Sequence, residues 1–431
     1  MNEQSMTAFL IEKTIIVLSV FGGVMAVVAL TTLIERRVAG FIQDRYGPNR
    51  VGWFGILQPA ADGLKNFLKE ETIPAAAAQP YFVLGPIISL APALVTFAVV
   101  PFAAPLPTPW GVVEMIVADV PIGILYILAL SSLGVYGVVM GGWASNNKFS
   151  FLGGLRASAQ MVSYEVALGL AVVVVLMMAG NVTLTEMVWQ QQQLNFWFAF
   201  PISLAFILFV ISAFAETSRM PFDMPEAESE LVGGFHTEYS GMKYAMYPMG
   251  EYSHMLTSSA LMATLFFGGW DIPFWTGDDA FLVGGEWIKG FTETGAPVAA
   301  ELAWWKTLFT FLVFGAKTYF FMIVYIWVRW TVPRFRYDQV MQLGWKIMLP
   351  TALAYVMVVA ATILALDQLE VAYGFMFGLV LTAVSALCTG IFLFVLDRGR
   401  VMDGAASGAR QRFRASRELA EAETPALPSG D

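Results

Sequence analysis

Nine apolar stretches of about 20 residues divide this sequence, and they constrain its fold more than any other feature. An α-helix needs about 20 apolar residues to cross the hydrocarbon core of a bilayer. Only 13% of the residues are charged and 57% are apolar, which leaves too few polar residues to cover several soluble domains. We therefore predict an all-α, polytopic membrane helix bundle with about nine spans. The predicted spans are residues 14–34, 79–102, 118–142, 157–179, 197–216, 243–269, 305–329, 346–366 and 371–396.

The basic residues predict the orientation of the bundle, because cytoplasmic loops of membrane proteins are enriched in lysine and arginine. With nine spans and the N-terminus outside, 20 of the 24 basic residues fall on the inner side. Lys13, Lys289 and Lys306 fall outside, and Lys317 lies within a span. We therefore predict a multi-pass protein whose C-terminus is cytoplasmic.

Two further segments differ from the spans in composition. Residues 56–70 carry apolar side chains at helical spacing with Asp62, Lys65 and Lys69 between them, which predicts an amphipathic helix lying in the membrane interface. An ordinary surface helix packed on the bundle fits the same pattern. Residues 398–431 are rich in Ala, Gly, Ser, Arg and Glu, which predicts a disordered basic tail that is solvated or touches anionic lipid.

The composition excludes several kinds of site. One cysteine and two histidines cannot form a disulfide framework, a four-thiolate iron–sulfur cluster or a Cys/His zinc site. The sequence has no glycine-rich nucleotide fingerprint, and a net charge of −9 disfavours nucleic-acid binding. Glu251 and His254 have a spacing that ligates metals in some bundles, but a second such pair is missing, so we predict no metal site.

Charged residues inside predicted spans mark candidate functional positions. Each costs at least about 2.5–3.5 kcal/mol at the middle of a bilayer. Glu165, Glu251 and Lys317 lie in three different spans. Such groups can relay protons, or they can form static ion pairs between helices; the number of acids favours a relay.

The loop between spans five and six is rich in acids. Pro221 and Pro225 interrupt the helix there. The glutamates at 226, 228 and 230 alternate, which predicts an extended backbone that presents them on one side. The aromatic residues between them disfavour the alternative of a plain solvated loop. The acids from this loop to the next span are Glu216, Asp223, Glu226, Glu228, Glu230, Glu238 and Glu251.

Several sequence blocks occur together in an order typical of one family. The chain resembles the H-type membrane subunits of respiratory complex I, the proton-pumping NADH:quinone oxidoreductase. The resemblance covers residues 14–366, so we divide the chain into a quinone-chamber membrane domain (1–366), an additional C-terminal helix (367–397) and the tail (398–431). The blocks are DRYGPNRVGWFG (44–55), QPAADGLK (58–65), GVYGVVMGGWASNNK (134–148), QMVSYEVALG (160–169), AETSRMPFDMPEAESELVGGFHTEYSG (215–241) and PRFRYDQVMQLGWK (333–346).

The resemblance implies a role in the bacterial inner membrane that the composition alone does not. Such a subunit belongs to an enzyme but has no redox centre or cofactor of its own. It forms much of the chamber in which quinone, the substrate, is reduced. Its partners are soluble quinone-site and iron–sulfur subunits, which together with other soluble subunits bind FMN and the clusters, and small membrane and antiporter-like subunits.

The resemblance also implies roles for individual residues, none of them catalytic in the strict sense. Charged and aromatic positions near the quinone chamber and its entrance are Glu35, Arg36, Arg45, Arg50, Asp62, Phe222 and Phe235. Positions on the proton-coupling path are Glu165, Glu216, Asp223, Glu226, Glu228, Glu230, Glu238, Tyr239, Glu251 and Lys317.

Three other functions remain open from the sequence. The homologous subunit of a membrane-bound hydrogenase-type complex shares the family resemblance. An independent secondary carrier explains buried acids, but the sequence has no internal repeat, and the acids cluster towards one side. A passive anchor for soluble subunits explains the basic loops but not Glu165, Glu251 and Lys317.

Overall fold

Helices make up most of the computed structural model, which describes residues 3–108, 111–194, 196–226, 228–272, 280–283, 286–289, 304–371 and 373–397. Two short antiparallel hairpins lie in connections between helices; the first pairs β1 (Leu106–Thr108) with β2 (Gly111–Val113), and the second pairs β3 (Ala280–Val283) with β4 (Glu286–Lys289). The sequence did not predict these hairpins. The helices are α1 (Glu3–Ile42), α2 (Gln58–Leu68), α3 (Gln79–Val95), α4 (Gly123–Ala144), α5 (Lys148–Ala179), α6 (Leu184–Leu194), α7 (Ser203–Glu216), α8 (Glu228–Leu231), α9 (Gly241–Phe266), α10 (Trp304–Thr331), α11 (Tyr337–Gln342), α12 (Leu349–Gln368) and α13 (Phe375–Asp397).

The predicted membrane bundle is confirmed. Seven helices within the described ranges are long and apolar enough to cross a membrane, judged by length and composition. The two remaining predicted spans are also helical. The helix α7 is apolar but has only 14 residues, whereas α9 has 26 residues and carries polar side chains along its length.

Two predicted spans begin earlier in the structure than their apolar stretches do. The helix α1 begins at Glu3 rather than residue 14, and α5 begins at Lys148 rather than residue 157. At the start of α5 the side chain of Asn147 accepts a hydrogen bond from the backbone N–H of Phe149, which caps the helix. Hydropathy locates the apolar part of a helix, whereas the cap decides where the helix begins.

Small residues allow the central helices to approach closely. A Cβ atom added at Gly137 of α4 would lie 2.6 Å from the backbone nitrogen of Ser89 in α3. One added at Gly142 of α4 would lie 2.6 Å from the backbone oxygen of Ser150 in α5. Membrane helices commonly pack through such small residues, since lipid provides little hydrophobic drive for association. This packing leaves α4 between α3 and α5.

The predicted amphipathic segment is helical, as α2. Its apolar side chains stay exposed in the isolated subunit, including Leu64, Phe67 and Leu68. Its position in the membrane interface remains a prediction, as does the alternative of a surface helix.

The additional C-terminal helix, α13, packs against α7 and α12. The hydroxyl of Ser385 in α13 lies 2.9 Å from that of Ser203 in α7 and 2.8 Å from that of Tyr355 in α12. These polar contacts attach α13 to the bundle. The predicted disordered tail, 398–431, lies outside the described residues.

The prediction of an extended backbone at residues 226–230 is wrong. Residues Glu228–Leu231 form one helical turn, and a helical backbone does not keep alternate residues on one side. This turn buries Leu231, while exposed Glu230 forms an ion pair with Arg156 of α5 at 2.5 Å. Tertiary burial of the leucine therefore overrides the local pattern of alternating acids.

Candidate functional site: a line of buried charged groups

The segments that the basic residues place on the inner side meet at one end of the bundle. Arg36 at the end of α1 pairs with Asp62 of α2 at 2.6 Å. Lys243 at the start of α9 pairs with Glu71 at 2.7 Å. Together with the Arg156–Glu230 pair, these contacts connect the segments that follow the first, third and fifth predicted spans. They bring these three predicted inner segments together at one end of the bundle.

A cluster of fully and partly buried polar residues joins α1, α9, α10 and the acidic loop. Glu35 of α1 accepts hydrogen bonds from Arg219 at 2.9 Å and from the hydroxyl of Tyr252 at 2.7 Å. Arg329 of α10 donates to the other oxygen of the same carboxylate. The guanidinium of Arg219 also lies over the ring of Tyr252, 4.1 Å from its centroid. We call Glu35, Arg219, Tyr252 and Arg329 the arginine cluster.

Asp223 lies beside this cluster in the loop. Its carboxylate accepts a hydrogen bond from Arg334 at 2.6 Å. Burial raises the pKa of Asp223 to about 7, and the nearby Glu226 adds to this effect, while Arg334 opposes it. Asp223 therefore exchanges a proton near neutral pH, which fits a group that responds to a change of charge nearby.

The remaining predicted loop residues take separate positions. Glu226 faces the ring of His236, with the carboxylate oxygen 3.7 Å from Nδ1. Glu238 accepts a hydrogen bond from the side chain of Asn147 at 2.6 Å. Tyr239 is buried, donates to the backbone oxygen of Phe82 at 2.9 Å, and has its pKa raised to about 12 by burial. The side chain of Glu228 lies outside the described residues.

A small enclosed cavity lies deeper in the bundle, between α3, α4, α5, α7, α9 and the loop. Its volume is about 40 Å³. Two predicted coupling acids, Glu216 at the end of α7 and Glu251 of α9, line it. Glu165 of α5 lies close to Glu216, and Glu251 lies close to Arg219 of the arginine cluster. Four of the predicted acids, Asp223, Glu251, Glu216 and Glu165, therefore follow one another as neighbours from the charged end into the bundle.

The chain matches the family model described as NADH dehydrogenase over residues 14–360, which is most of its length. The chain belongs to the NADH dehydrogenase family. It is 46% identical over 356 residues to an NADH-quinone oxidoreductase subunit of the H type from Cytophaga hutchinsonii, covering 83% of this chain and 98% of that protein. It is also 44% identical over 361 residues to NADH-ubiquinone oxidoreductase chain 1 of Chondrus crispus, covering 84% of this chain and 99% of that protein.

Membership in the NADH dehydrogenase family confirms the predicted resemblance and makes this chain a multi-pass membrane subunit of complex I, with other complex I subunits as partners. The match ends at residue 360, so α13 lies beyond it. The relatives are almost completely covered, so the additional length of this chain is not part of their common core.

The predicted quinone-chamber residues divide into exposed and buried groups. Arg45 and Arg50 are exposed near the glycine–proline turn that follows α1. Phe222 packs between Tyr164 and Phe335, and Phe235 packs against Tyr247. In the isolated subunit these two phenylalanines are therefore core side chains, although Phe235 also lines the enclosed cavity.

The predicted coupling residue Lys317 lies midway along α10 and contacts the segment that follows α9. Its ammonium group donates hydrogen bonds to the backbone oxygens of Phe267, Gly269 and Asp271 at 2.7, 3.0 and 2.6 Å. These carbonyls follow the C-terminus of α9, where a cation is favoured. The structure thus gives Lys317 a capping contact, and its coupling role remains a prediction.

Sequence reasoning missed the partners that complete the arginine cluster. Arg329 and Arg334 flank the end of α10, and the sequence indicated only that they add to the positive charge of the predicted inner side. Tyr252 directly follows Glu251, and nothing in the sequence marked it as a functional residue. A buried arginine in an acid-rich loop, such as Arg219, requires a counter-charge from elsewhere in the fold, and that requirement was the available signal.

Proposed function

We propose that this chain forms the quinone chamber of a proton-translocating NADH:quinone oxidoreductase and transmits quinone reduction to proton transfer in the membrane. The observation that carries this proposal is the line of buried titratable groups from Asp223 through the arginine cluster to Glu251, Glu216 and Glu165. The names of the relatives supply the reaction and the quinone substrate.

The charged end of the bundle is the proposed chamber side. Arg36 and Asp62 connect the end of α1 to α2, and the exposed side chains of α2 lie next to them. Quinone enters from the lipid near α1, α2 and α9. The soluble quinone-site and iron–sulfur subunits dock on the exposed loop that contains Arg45 and Arg50. FMN and the iron–sulfur clusters belong to those partners.

Reduction of quinone to quinol takes up two electrons and two protons. A negative charge that appears in a chamber of low dielectric acts strongly on nearby groups. Asp223 is the first to respond, since it exchanges its proton near neutral pH and contacts Arg334 directly. When Asp223 releases or takes up a proton, its attraction for Arg334 changes, and so does the field at the arginine cluster.

The arginine cluster transmits this change inward. Arg219 contacts Glu35 and lies close to Glu251, so a shift of its guanidinium alters the charge balance of both carboxyl groups. Glu251 shares the enclosed cavity with Glu216, which in turn lies close to Glu165. Glu165 then passes the change to small membrane subunits and to antiporter-like subunits along the membrane arm.

The proposed location is the bacterial inner membrane, with the N-terminus outside and the C-terminus cytoplasmic. The contacts between predicted inner segments at one end of the bundle support their location on the same side of the membrane. The positive-inside rule supplies the direction.

Purification of the tagged chain from native membranes in mild detergent tests the function. We expect an assembly with iron–sulfur clusters, flavin and inhibitor-sensitive NADH:quinone activity. An assembly with a nickel–iron subunit and no NADH activity would instead assign the chain to the hydrogenase-type branch. A chain that purifies alone and transports a solute would make it a carrier.

The substitution Glu216→Gln tests coupling in the reconstituted assembly. Glutamine keeps the size of the side chain but cannot release a proton, so we expect proton pumping to fall about 10²-fold, the scale of a lost proton-transfer group. Glu370→Gln, which changes an exposed acid at the other end of the bundle, is the matched control. Unchanged pumping with Glu216→Gln would overturn the coupling path and leave a passive anchor.

A further inference from the structure

His254 is a titratable residue that the proposed coupling path does not yet use. It lies on α9, three residues after Glu251 and seven after Tyr247, which places the three side chains on one face of the helix. All three line the enclosed cavity. A Cβ atom added at Gly134 of α4 would lie 3.2 Å from Nε2 of His254, so the imidazole occupies the space that this glycine leaves open.

The cavity is polar enough to hold water. A water molecule needs roughly 10–15 Å³ of accessible volume and two to four polar partners. The volume of about 40 Å³ meets the first condition. Ser89, Ser131 and Ser218 line the cavity together with the two glutamates, which meets the second. Within the described part of the chain, the hydroxyl of Ser218 is buried and has no protein hydrogen-bond partner, as expected where water is bound.

The position of His254 separates it from an ordinary core histidine. The two carboxyl groups of the cavity belong to different elements, Glu216 to α7 and Glu251 to α9, and the imidazole borders the same space as both. The serine and tyrosine hydroxyls can pass a hydrogen bond, but they do not take up an extra proton, even transiently. An imidazole can accept a proton on one nitrogen and donate from the other.

We infer that His254 carries protons between Glu216 and Glu251 across this hydrated cavity. In one direction, the protonated carboxyl of Glu216 transfers its proton through water to the neutral imidazole, leaving a carboxylate. The imidazolium then donates its other proton to the carboxylate of Glu251, and the imidazole is neutral again. The reverse sequence returns the proton. This inference rests on the proposed function, because it assigns a carrier within the same path.

The ionisable groups around His254 come from four parts of the fold. Glu216 belongs to α7 and Glu165, beside it, to α5; Glu251 and Tyr247 belong to α9 itself. Arg219 and Glu226 of the loop lie close to Glu251. The histidine therefore borders the same cavity as Glu216, which lies beside Glu165, and Glu251, which lies beside Arg219 of the arginine cluster.

The test compares His254→Gln and His254→Leu in the purified, assembled complex reconstituted in vesicles. Glutamine retains hydrogen bonding but cannot carry a proton, and leucine removes both. We expect both variants to lower the number of protons pumped per NADH about tenfold. This loss is smaller than the loss of about 10²–10⁴-fold expected when an acid–base group is removed completely, because water in the cavity partly substitutes for the imidazole. Thr257→Val, on the same helix but with its side chain towards Thr96, should leave the ratio unchanged.

The outcomes separate this inference from the proposed function. If His254→Gln pumps at the wild-type ratio while Glu216→Gln does not, His254 is a packing residue and the inference is wrong. If Glu216→Gln also pumps normally, the coupling path itself is wrong. Assembly is checked by NADH oxidation with a soluble acceptor, which does not pass through the quinone chamber. If His254→Leu fails to assemble, His254→Gln alone decides.

Discussion

Glu35 and Glu216 are both glutamates in the interior of one helix bundle, yet their surroundings are opposite. Glu35 contacts two guanidinium groups and a tyrosine hydroxyl. Glu216 lies beside another carboxyl group, that of Glu165, and beside the hydroxyl of Ser131. No cation pairs with Glu216 among the residues the structure describes. Burial of an acid therefore does not define its role: its partners decide whether its charge is held in place or can change.

The largest expected loss of stability comes from removing the charge of Glu35, which two arginines compensate. Glu35→Gln leaves Arg219 and Arg329 close together in the interior without their carboxylate, and breaking a buried pair costs about 3–5 kcal/mol. We expect a large loss of assembled complex and a lower thermal midpoint in detergent. Glu70→Gln, at an exposed acid, is the control. A midpoint equal to wild type would show that the arginine cluster does not stabilise the fold.

A smaller loss is expected for Lys317→Met. Hydrogen bonds from a charged group are worth about 1.5–3 kcal/mol, and Lys317 donates to three carbonyls after α9. Thermal unfolding of the complex measures this loss. Proton pumping per NADH, measured below the unfolding range, separates the two roles: an unchanged ratio would leave only the capping role, and a reduced ratio would support coupling.

The raised pKa of Asp223 predicts that the stability of the fold depends on pH. Its pKa is raised to about 7 in the folded protein, so between its ordinary value near 4 and pH 7 the folded state binds more protons than the unfolded state. Stability should therefore fall as the pH rises through that window. The thermal midpoint of Asp223→Asn, which does not titrate, should fall less over the same range. Parallel curves for the two proteins would contradict the raised pKa.

An exposed ion pair provides a reference for the buried charge of Glu35. Arg36 and Asp62 form an ion pair at 2.6 Å, but their side chains are 52% and 34% exposed. Exposed pairs contribute about 0–1 kcal/mol and weaken with salt. Arg36→Gln should therefore change the thermal midpoint by little. A loss as large as that of Glu35→Gln would mean that the assembled complex buries this pair.

The smallest effect on stability is expected for Glu216→Gln. Glutamine preserves hydrogen bonding and removes the cost of a charge that has no cationic partner among the described residues, so unfolding free energy should change by less than about 1 kcal/mol. The same variant should still lose pumping. Destabilisation comparable to that of Glu35→Gln would show that Glu216 also has a structural partner.

Much of the fold followed from local sequence. Each of the nine apolar stretches contains a helix, because length and hydropathy are properties of a contiguous segment. Element ends followed less well: the cap at Asn147 starts α5 before its apolar part, and the turn at Glu228–Leu231 replaces the predicted extended segment. These depend on a side-chain hydrogen bond and on burial of Leu231, which hydropathy does not contain.

Local sequence was enough to identify a helical membrane protein of the NADH dehydrogenase family whose acids are concentrated between α7 and α9. Which acids of the chain have a cationic partner depends on how the helices of the bundle pack. Glu35 of α1 and Arg219 of the acidic loop are far apart in sequence, and Tyr252 of α9, which packs against α1, contacts both. Likewise, Glu216 of α7 and His254 of α9 border one cavity, and Gly134 of α4 leaves the space that the imidazole occupies. Charge pairing acts over a few ångströms in space, and tertiary packing sets those distances.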